Sequence, residues 1–466
     1  MTATFICSGN DLHSSWQNQP CQLPGRKRKP LPGSRSCLLL VILGISISFS
    51  PLRSKAAAFP DDNWSSVGSG LNGSVRALAV SGSDLYAGGD FTMAGNVTVN
   101  HMAKWDGTNW SALGPGFNGN VYAVAISGTN VYAGGDFTMA GTSNFNHIAR
   151  WNGTGWTALG SGMNGNYVAA LAVSGANLYA GGSFSMAGFS AARDIAVWNG
   201  SSWSPLGTGM NGTVYALAIS GNNVYAGGDF TTAGGPTVNA IAKWNGTTWS
   251  TLGSGMQGSS LNSVYALAVS GSTLYAGGLF ATAGGVGTGP LAKWNGSIWS
   301  AMGVLSASTN YYPSVNALAV SGNAVYAAGD FITASGTTVN RIAKWNGTSW
   351  SALGSGMNTN VYALAMAGTN SLYAGGLFTT AGTNSSAHIA RAYPLSPPAL
   401  SIVRSGSDVI ISWPSSGSAG FVLEQTDSLL DTTTWDTSSA TVIDDGIIRT
   451  VTLPAGNAAQ FFRLRK

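Results

Sequence analysis

Seven near-copies of the phrase "YAGG", a recurrence interval matching one propeller blade, and chain ends that complete one another predict an all-β fold. The expected architecture is a seven-bladed β-propeller whose N-terminal strand closes the last blade, followed by a small β-sandwich-like domain. The marker tyrosines are Tyr86, Tyr132, Tyr179, Tyr225, Tyr275, Tyr326 and Tyr373, spaced 46, 47, 46, 50, 51 and 47 residues apart. Four-stranded blades repeat every 40–50 residues or so.

Each repeat parses into four strand-like pieces. "VYALAVSG" alternates apolar and small residues, "NLYAGGDF" ends in a glycine pair, "HIAKW" follows a polar loop, and "TSWSALG" completes the unit. Alternation, β-branched and aromatic content and glycine punctuation favour strands over helices. Asn-Gly between two Trp-bearing strands predicts a two-residue hairpin turn of type I′, because Asn and Gly tolerate positive φ. The tryptophans are then the large wedges between blades. The first repeat opens on a lone fourth strand, "NWSSVG" (Asn63 to Gly68), and the last stops after its third, "HIARAYPL", with Ala392 in place of Trp. Joining these ends removes the open sheet edges.

Residues 1–58 read as a signal peptide or N-terminal export segment. A basic stretch, "RKRKPLPGSR", precedes the apolar run Cys37 to Phe49, which is shorter than the span of about 20 residues a membrane needs. An uncleaved anchor is the other reading of this segment. The expected location is secreted or cell-surface, extracellular or periplasmic. Seven of the 21 basic residues lie in the leader against one acid, Asp11, so the net charge of +4 argues nothing about nucleic acid. All three cysteines (Cys7, Cys21, Cys37) also lie there, leaving the rest without a thiol or disulfide. The propeller is assigned to 59–394. Residues 395–466, after the "SPP" hinge, carry short strand-like runs suited to a small immunoglobulin- or fibronectin-like β domain. No apolar run after the leader is long enough to span a membrane, and a monomer is expected.

The blade order of strand, "YxxGG", aromatic strand, tight turn and Trp strand resembles kelch-type propellers. The longer phrase "LYAGGDFTMAG…NHMAKWDGTNWSALGPGFNGNVYAVAIS" is similar to repeats of the fungal cortical cell-polarity marker family and its uncharacterised secreted bacterial relatives, over roughly Asp62 to Tyr393. The resemblance implies the fold and little about activity, since the matching residues are mostly structural. The copper chemistry of some kelch-type rings needs a cysteine-linked tyrosine, which a chain without cysteine after its leader cannot make.

Candidate sites fall into four series. Asp90, Asp136, Asp229 and Asp330 follow the glycine pair; each caps its own loop, or together they face calcium, the one cofactor the pattern admits. Ser183, Leu279 and Leu377 interrupt that ring. Glycoside hydrolysis needs two carboxylates, and the only glutamate, Glu424, lies outside the propeller. His101, His147 and His388 share one repeat position in contiguous blades, four residues before the third-strand Trp or its replacement. They read as polar strand starts or as a pH-sensitive or ligand-binding rim patch; neighbouring blades are too far apart for three of them to share one metal. Leu71, Phe117, Met163, Met210, Met256 and Met357 sit in the loops joining blades, either as apolar plugs or as a shallow hydrophobic mouth. Tyr311 and Tyr312 lie in the sixth-blade insertion (Val304 to Ser314) that breaks the symmetry. The function expected is non-enzymatic binding of a protein or glycan on the face bearing these loops. A carbohydrate-active enzyme using the aspartates and a purely structural envelope protein are the alternatives.

Overall fold

A computed structural model describes residues 63–258, 262–307, 312–393, 400–415, 421–427, 435–455 and 460–465. The export segment, the "SPP" hinge and Tyr311 lie outside these residues. Among the described residues there is no α-helix, hence none long and apolar enough to cross a membrane. Contacts divide the chain into two units, Ala58–Ser396 and one containing Pro397–Lys466.

In the first unit the strands Val75–Ser81, Asp84–Gly89, Met102–Trp105 and Trp110–Ala112 form an antiparallel sheet in chain order. Six further sheets repeat that order, beginning at Val121–Ser127, Met163–Ser174, Val214–Ser220, Ser263–Ser270, Ser314–Ser321 and Val361–Ala367. The last takes its outer strand from the other end of the chain: Trp64–Ser66 pairs with Ile389–Ala392, Trp64 opposite Ala392. These first strands touch their counterparts in the sheets on either side, and the last touches the first. They therefore line the axis of a closed ring.

Two residue types hold the ring. A Cβ on Gly88 would lie 2.5 Å from Cγ1 of Val121 in the next sheet; the contact recurs in five further sheets, Gly375 making it with Val75, while the sixth has Ala328 at this position. A residue with no side chain gives the backbone that close approach at six of these positions. Farther out, each fourth-strand tryptophan donates its indole N–H to the preceding sheet. Trp156 reaches Leu113 O at 2.8 Å, Trp203 reaches Leu159 O at 2.8 Å, and Trp64 reaches Leu353 O at 2.9 Å. The core is segmented accordingly: Ile195 of the third sheet packs with Met210, Val214, Phe230 and Trp249 of the fourth.

The Trp–Trp hairpins differ from expectation. Trp105 faces Trp110 and Trp151 faces Trp156, so four residues form each loop rather than two. Only the glycine has positive φ, as at Gly153 (101°). Asn152 instead accepts backbone N–H bonds from Thr154 and Gly155, both at 3.0 Å. A side chain supplies the acceptor that a type I′ turn would have taken from the backbone.

The second unit contains one sheet of Ser401–Ser405, Asp408–Pro414, Ile448–Pro454 and Ile443–Asp444, and another of Asp436–Thr437, Val422–Thr426 and Phe461–Arg465. Ile411, Trp413, Leu423, Val451 and Phe462 from both sheets share one core. Glu424 is 3% exposed and paired with Arg463 at 2.7 Å and Arg465 at 3.2 Å, a structural ion cluster.

Candidate functional site

The apolar series does not form a mouth. Phe117, Met163, Met210, Met256 and Met357 are 0–4% exposed. Each backbone N–H here bonds a carbonyl of the preceding repeat, as Phe117 to Asn100 and Met163 to Asn146, both at 2.9 Å. The loop turns its apolar side chain inward, so these residues are plugs without access to a ligand. Leu305 takes the role in the sixth sheet, opposite Ala334 where Met256 faces Ala283. Tyr312 of the insertion is exposed.

The aspartates engage partners in their own sheets. Asp90 accepts two N–H bonds from Arg76, at 2.5 and 2.8 Å. Asp136 accepts from the Asn120 backbone N–H at 2.5 Å and from the Tyr122 hydroxyl at 2.6 Å. Asp229 accepts from the Tyr215 hydroxyl at 3.0 Å, and Asp330 pairs with Arg341. Among the described residues no group of three or more His, Cys, Asp or Glu is placed to hold a metal ion.

What unites the histidine position is backbone shape. His101 (φ 71°), His147 (72°), His388 (65°), Asp194 (63°), Ala240 (68°) and Arg341 (73°) all adopt the left-handed conformation. Each donates its backbone N–H to a phenylalanine carbonyl and accepts at its own carbonyl from the second glycine of the pair, as His101 does with Phe91 and Gly89. His147 is 8% exposed, burial holds its pKa below the usual imidazole range, and its Nδ1 has no hydrogen-bond partner.

The residues sequence reasoning passed over lie on the inner strands. Val75 faces Gly89 while Ala77 faces Gly88, so Arg76 is an extra residue in the ladder. The same β-bulge occurs at Tyr122, Tyr215, Tyr265, Asn316 and Tyr362, and at Ala169 with Tyr167 two residues before it. A bulge re-aims its side chain. Here the re-aimed groups meet across sheet boundaries. The Arg76 guanidinium lies 5.7 Å from the Tyr122 ring and 5.4 Å from that of Tyr362. Tyr122 meets Tyr167 edge-to-face at 5.8 Å, Tyr215 meets Tyr265 at 5.6 Å, and Asn316 donates to Val361 O at 3.3 Å. These contacts cross five sheet boundaries at the end where the inter-blade loops enter, and Asp90, Asp136 and Asp229 bond directly to Arg76, Tyr122 and Tyr215. The signal was the variable letter in "VRAL", "VYAV", "VYAL" and "VNAL", set between constant neighbours.

Electrostatics differ around this ring. Burial pushes the Asp194 carboxyl up to about 6; nearby Asp229 raises it further, while the Phe184 N–H bond and Arg193 oppose the rise. Burial, then the bond to Asp229, pushes the Tyr215 phenol up, and Asp90 holds Arg76 more firmly protonated.

Residues 157–323 match the model of the Rax2 C-terminal β-propeller domain, so the chain contains a β-propeller related to the cell-polarity marker family. No curated protein matches the chain. Among solved structures it is similar to the computationally designed Ika8 protein, with 16% identity, TM-score 0.44, and coverage of 83% of this chain and 98% of that one. It is similar also to YjhT, with 14% identity, TM-score 0.37, and coverage of 59% and 95%.

Proposed function

We propose that the chain is a secreted or cell-surface binding protein: a seven-bladed, kelch-like propeller of the type carried by secreted bacterial proteins, with a β-sandwich tail. It recognises a protein or glycan at the axial mouth and does no chemistry there. The observation that carries this reading is the ring of bulge residues Arg76, Tyr122, Tyr215, Tyr265, Asn316 and Tyr362, joined by Tyr167, two residues before the third sheet's bulge at Ala169. Phenol rings present an apolar face with a polar tip, a combination favoured at recognition surfaces, and here they vary on a frame that otherwise repeats. The leader sequence supports export, and the propeller fold suits a scaffold that presents loops on one face.

One observation favours the enzyme instead. Burial pushes the Asp194 carboxyl up to about 6, so it keeps its proton longer than an ordinary carboxylate, as a general acid does. Against this, Asp90, Asp136, Asp229 and Asp330 are each bonded within their own sheets.

The test is a panel of glycans and peptides offered to the full chain, with product release monitored alongside binding. Saturable binding lost in the Tyr122→Ala/Tyr362→Ala variant and kept in Tyr312→Ala supports the mouth. Loss in Tyr312→Ala alone moves the site to the insertion. Turnover that disappears in Asp194→Asn replaces binding with catalysis, and no interaction at all leaves a structural role.

A further inference from the structure

The mouth contains a worked example of its own chemistry. Arg76 is clamped by the Asp90 carboxylate, with a tyrosine ring on either side from Tyr122 and Tyr362. A guanidinium over aromatic faces and against a carboxylate gains from both the ring quadrupoles and a bidentate charge-assisted bond.

Farther around the ring the same frame recurs without the cation. Where the first sheet has Arg76, the second and fourth have Tyr122 and Tyr215. Their carboxylates, Asp136 and Asp229, accept from neutral donors, and neither has an ion pair among the described residues. Asp194 joins them with one oxygen on the Phe184 N–H at 3.1 Å. Edge-to-face pairs, Tyr122 with Tyr167 and Tyr215 with Tyr265, wall the sector. Beside Asp136 lies the buried His147 ring with an unpartnered Nδ1. Two positive charges adjoin the sector: Arg193, acting on Asp194, and Arg76, already held by Asp90 on the far side of Tyr122.

We propose that this sector, bounded by Tyr122, Tyr167 and Tyr215 and backed by Asp136, Asp194 and Asp229, takes a lysine or arginine side chain of a protein partner. The proposal rests on the mouth being the binding face and specifies the chemistry of what it binds. Two carboxylates at the tyrosine tips, with that of Asp194 near Asp229, select for a positive charge, and the chain's own arginine shows the geometry such a group adopts. A neutral sugar would leave those charges without a counter-ion. A cationic side chain supplies one.

The experiment uses fluorescein-labelled hexalysine and hexaarginine peptides with the full chain, followed by anisotropy at two salt concentrations. Acetylated hexalysine, hexaglutamate and an N-acetylchitohexaose probe serve as comparators. The expected result is saturable binding of the two cationic peptides only. It weakens roughly tenfold or more in Asp136→Asn/Asp229→Asn, the scale of a lost charge-assisted contact, and is unchanged in Asp84→Asn, whose carboxylate lies elsewhere. Tyr167→Phe keeps the affinity and Tyr167→Ala loses it several-fold, a split that non-specific attraction to acids does not produce. Thermal melts confirm that the variants remain folded. Equal binding of acetylated and free hexalysine, or affinity indifferent to the Asp136/Asp229 change, overturns the proposal. If the N-acetylchitohexaose probe binds and the Tyr122→Ala/Tyr362→Ala variant abolishes it, the cation proposal fails while the mouth stands. Silence from every probe fails both.

Discussion

The outer seam and the axial mouth of the propeller are built from the same repeat, yet they use variation in opposite ways. Along the seam the chemistry is uniform. Each fourth-strand tryptophan sends its indole N–H to the neighbouring sheet, with even Trp64, recruited from the far end, obeying the pattern. At the mouth the backbone is uniform and the side chains are not: one bulge position holds arginine, tyrosine, alanine or asparagine. The difference separates what closes a ring from what a ring can be specialised for. A seam residue must fit its neighbour in every blade, whereas a mouth residue projects from a bulge that forms whatever the side chain is.

That contrast has measurable edges. The largest effect is expected for Trp203→Ala, which removes a side chain 5% exposed and its bond to Leu159. Urea unfolding should register a loss of about 3–5 kcal/mol. Gly227→Ala is next. Its new Cβ would sit 2.5 Å from Cγ1 of Val264, a side chain that can give only by pushing the adjoining sheet away, and about 1–3 kcal/mol should be lost. The smallest effect, and one of opposite sign, belongs to the mouth. The folded state holds the Asp194 carboxyl at about 6 against an ordinary 3.8, so between those values it retains a proton that the unfolded chain has released. Stability from this group therefore falls as pH rises from near 4 to near 6 and stays at the lower level above. Asp194→Asn removes the charge while its amide oxygen can still accept from the Phe184 N–H. This variant should melt higher than the parent at pH 7.5, with the gap closing by pH 4. Equal melting temperatures at both pH values would remove Asp194 from the contrast.

Much of the seam was readable in the sequence because it is made of composition: a glycine pair and a tryptophan leave the same letters wherever they recur. The closing strand was readable for the same reason, since "NWSSVG" without a partner and "HIARAYPL" without a Trp are complementary deficits. The mouth was hidden by a change of register. Simple alternation counts Tyr122 as one more residue between apolar neighbours; the bulge that re-aims it depends on pairing with Gly134 and Gly135, which no local pattern states. The methionine loops admitted two readings, plug and mouth, and the structure has the plug. Large apolar letters among glycines look exposed, but the positive φ of residues such as Gly162 (74°) and Gly209 (79°) bends the loop until Met163 and Met210 point into the core. Tyr311 falls outside the described residues, and Tyr312, though exposed, has no place in the bulge ring.

The strand Trp64–Ser66 also imposes an order of events on the molecule. Its indole bond to Leu353 spans 289 residues of chain, and its ladder to Ile389–Ala392 spans more. The ladder cannot form until the last sheet has left the ribosome, so until then the nascent chain carries two unpaired strand edges. Contacts of such sequence separation form slowly, because loop entropy must be overcome before they gain anything. Ring closure is thus the last step in folding the propeller, and the interval before it is when its edges are most exposed to self-association.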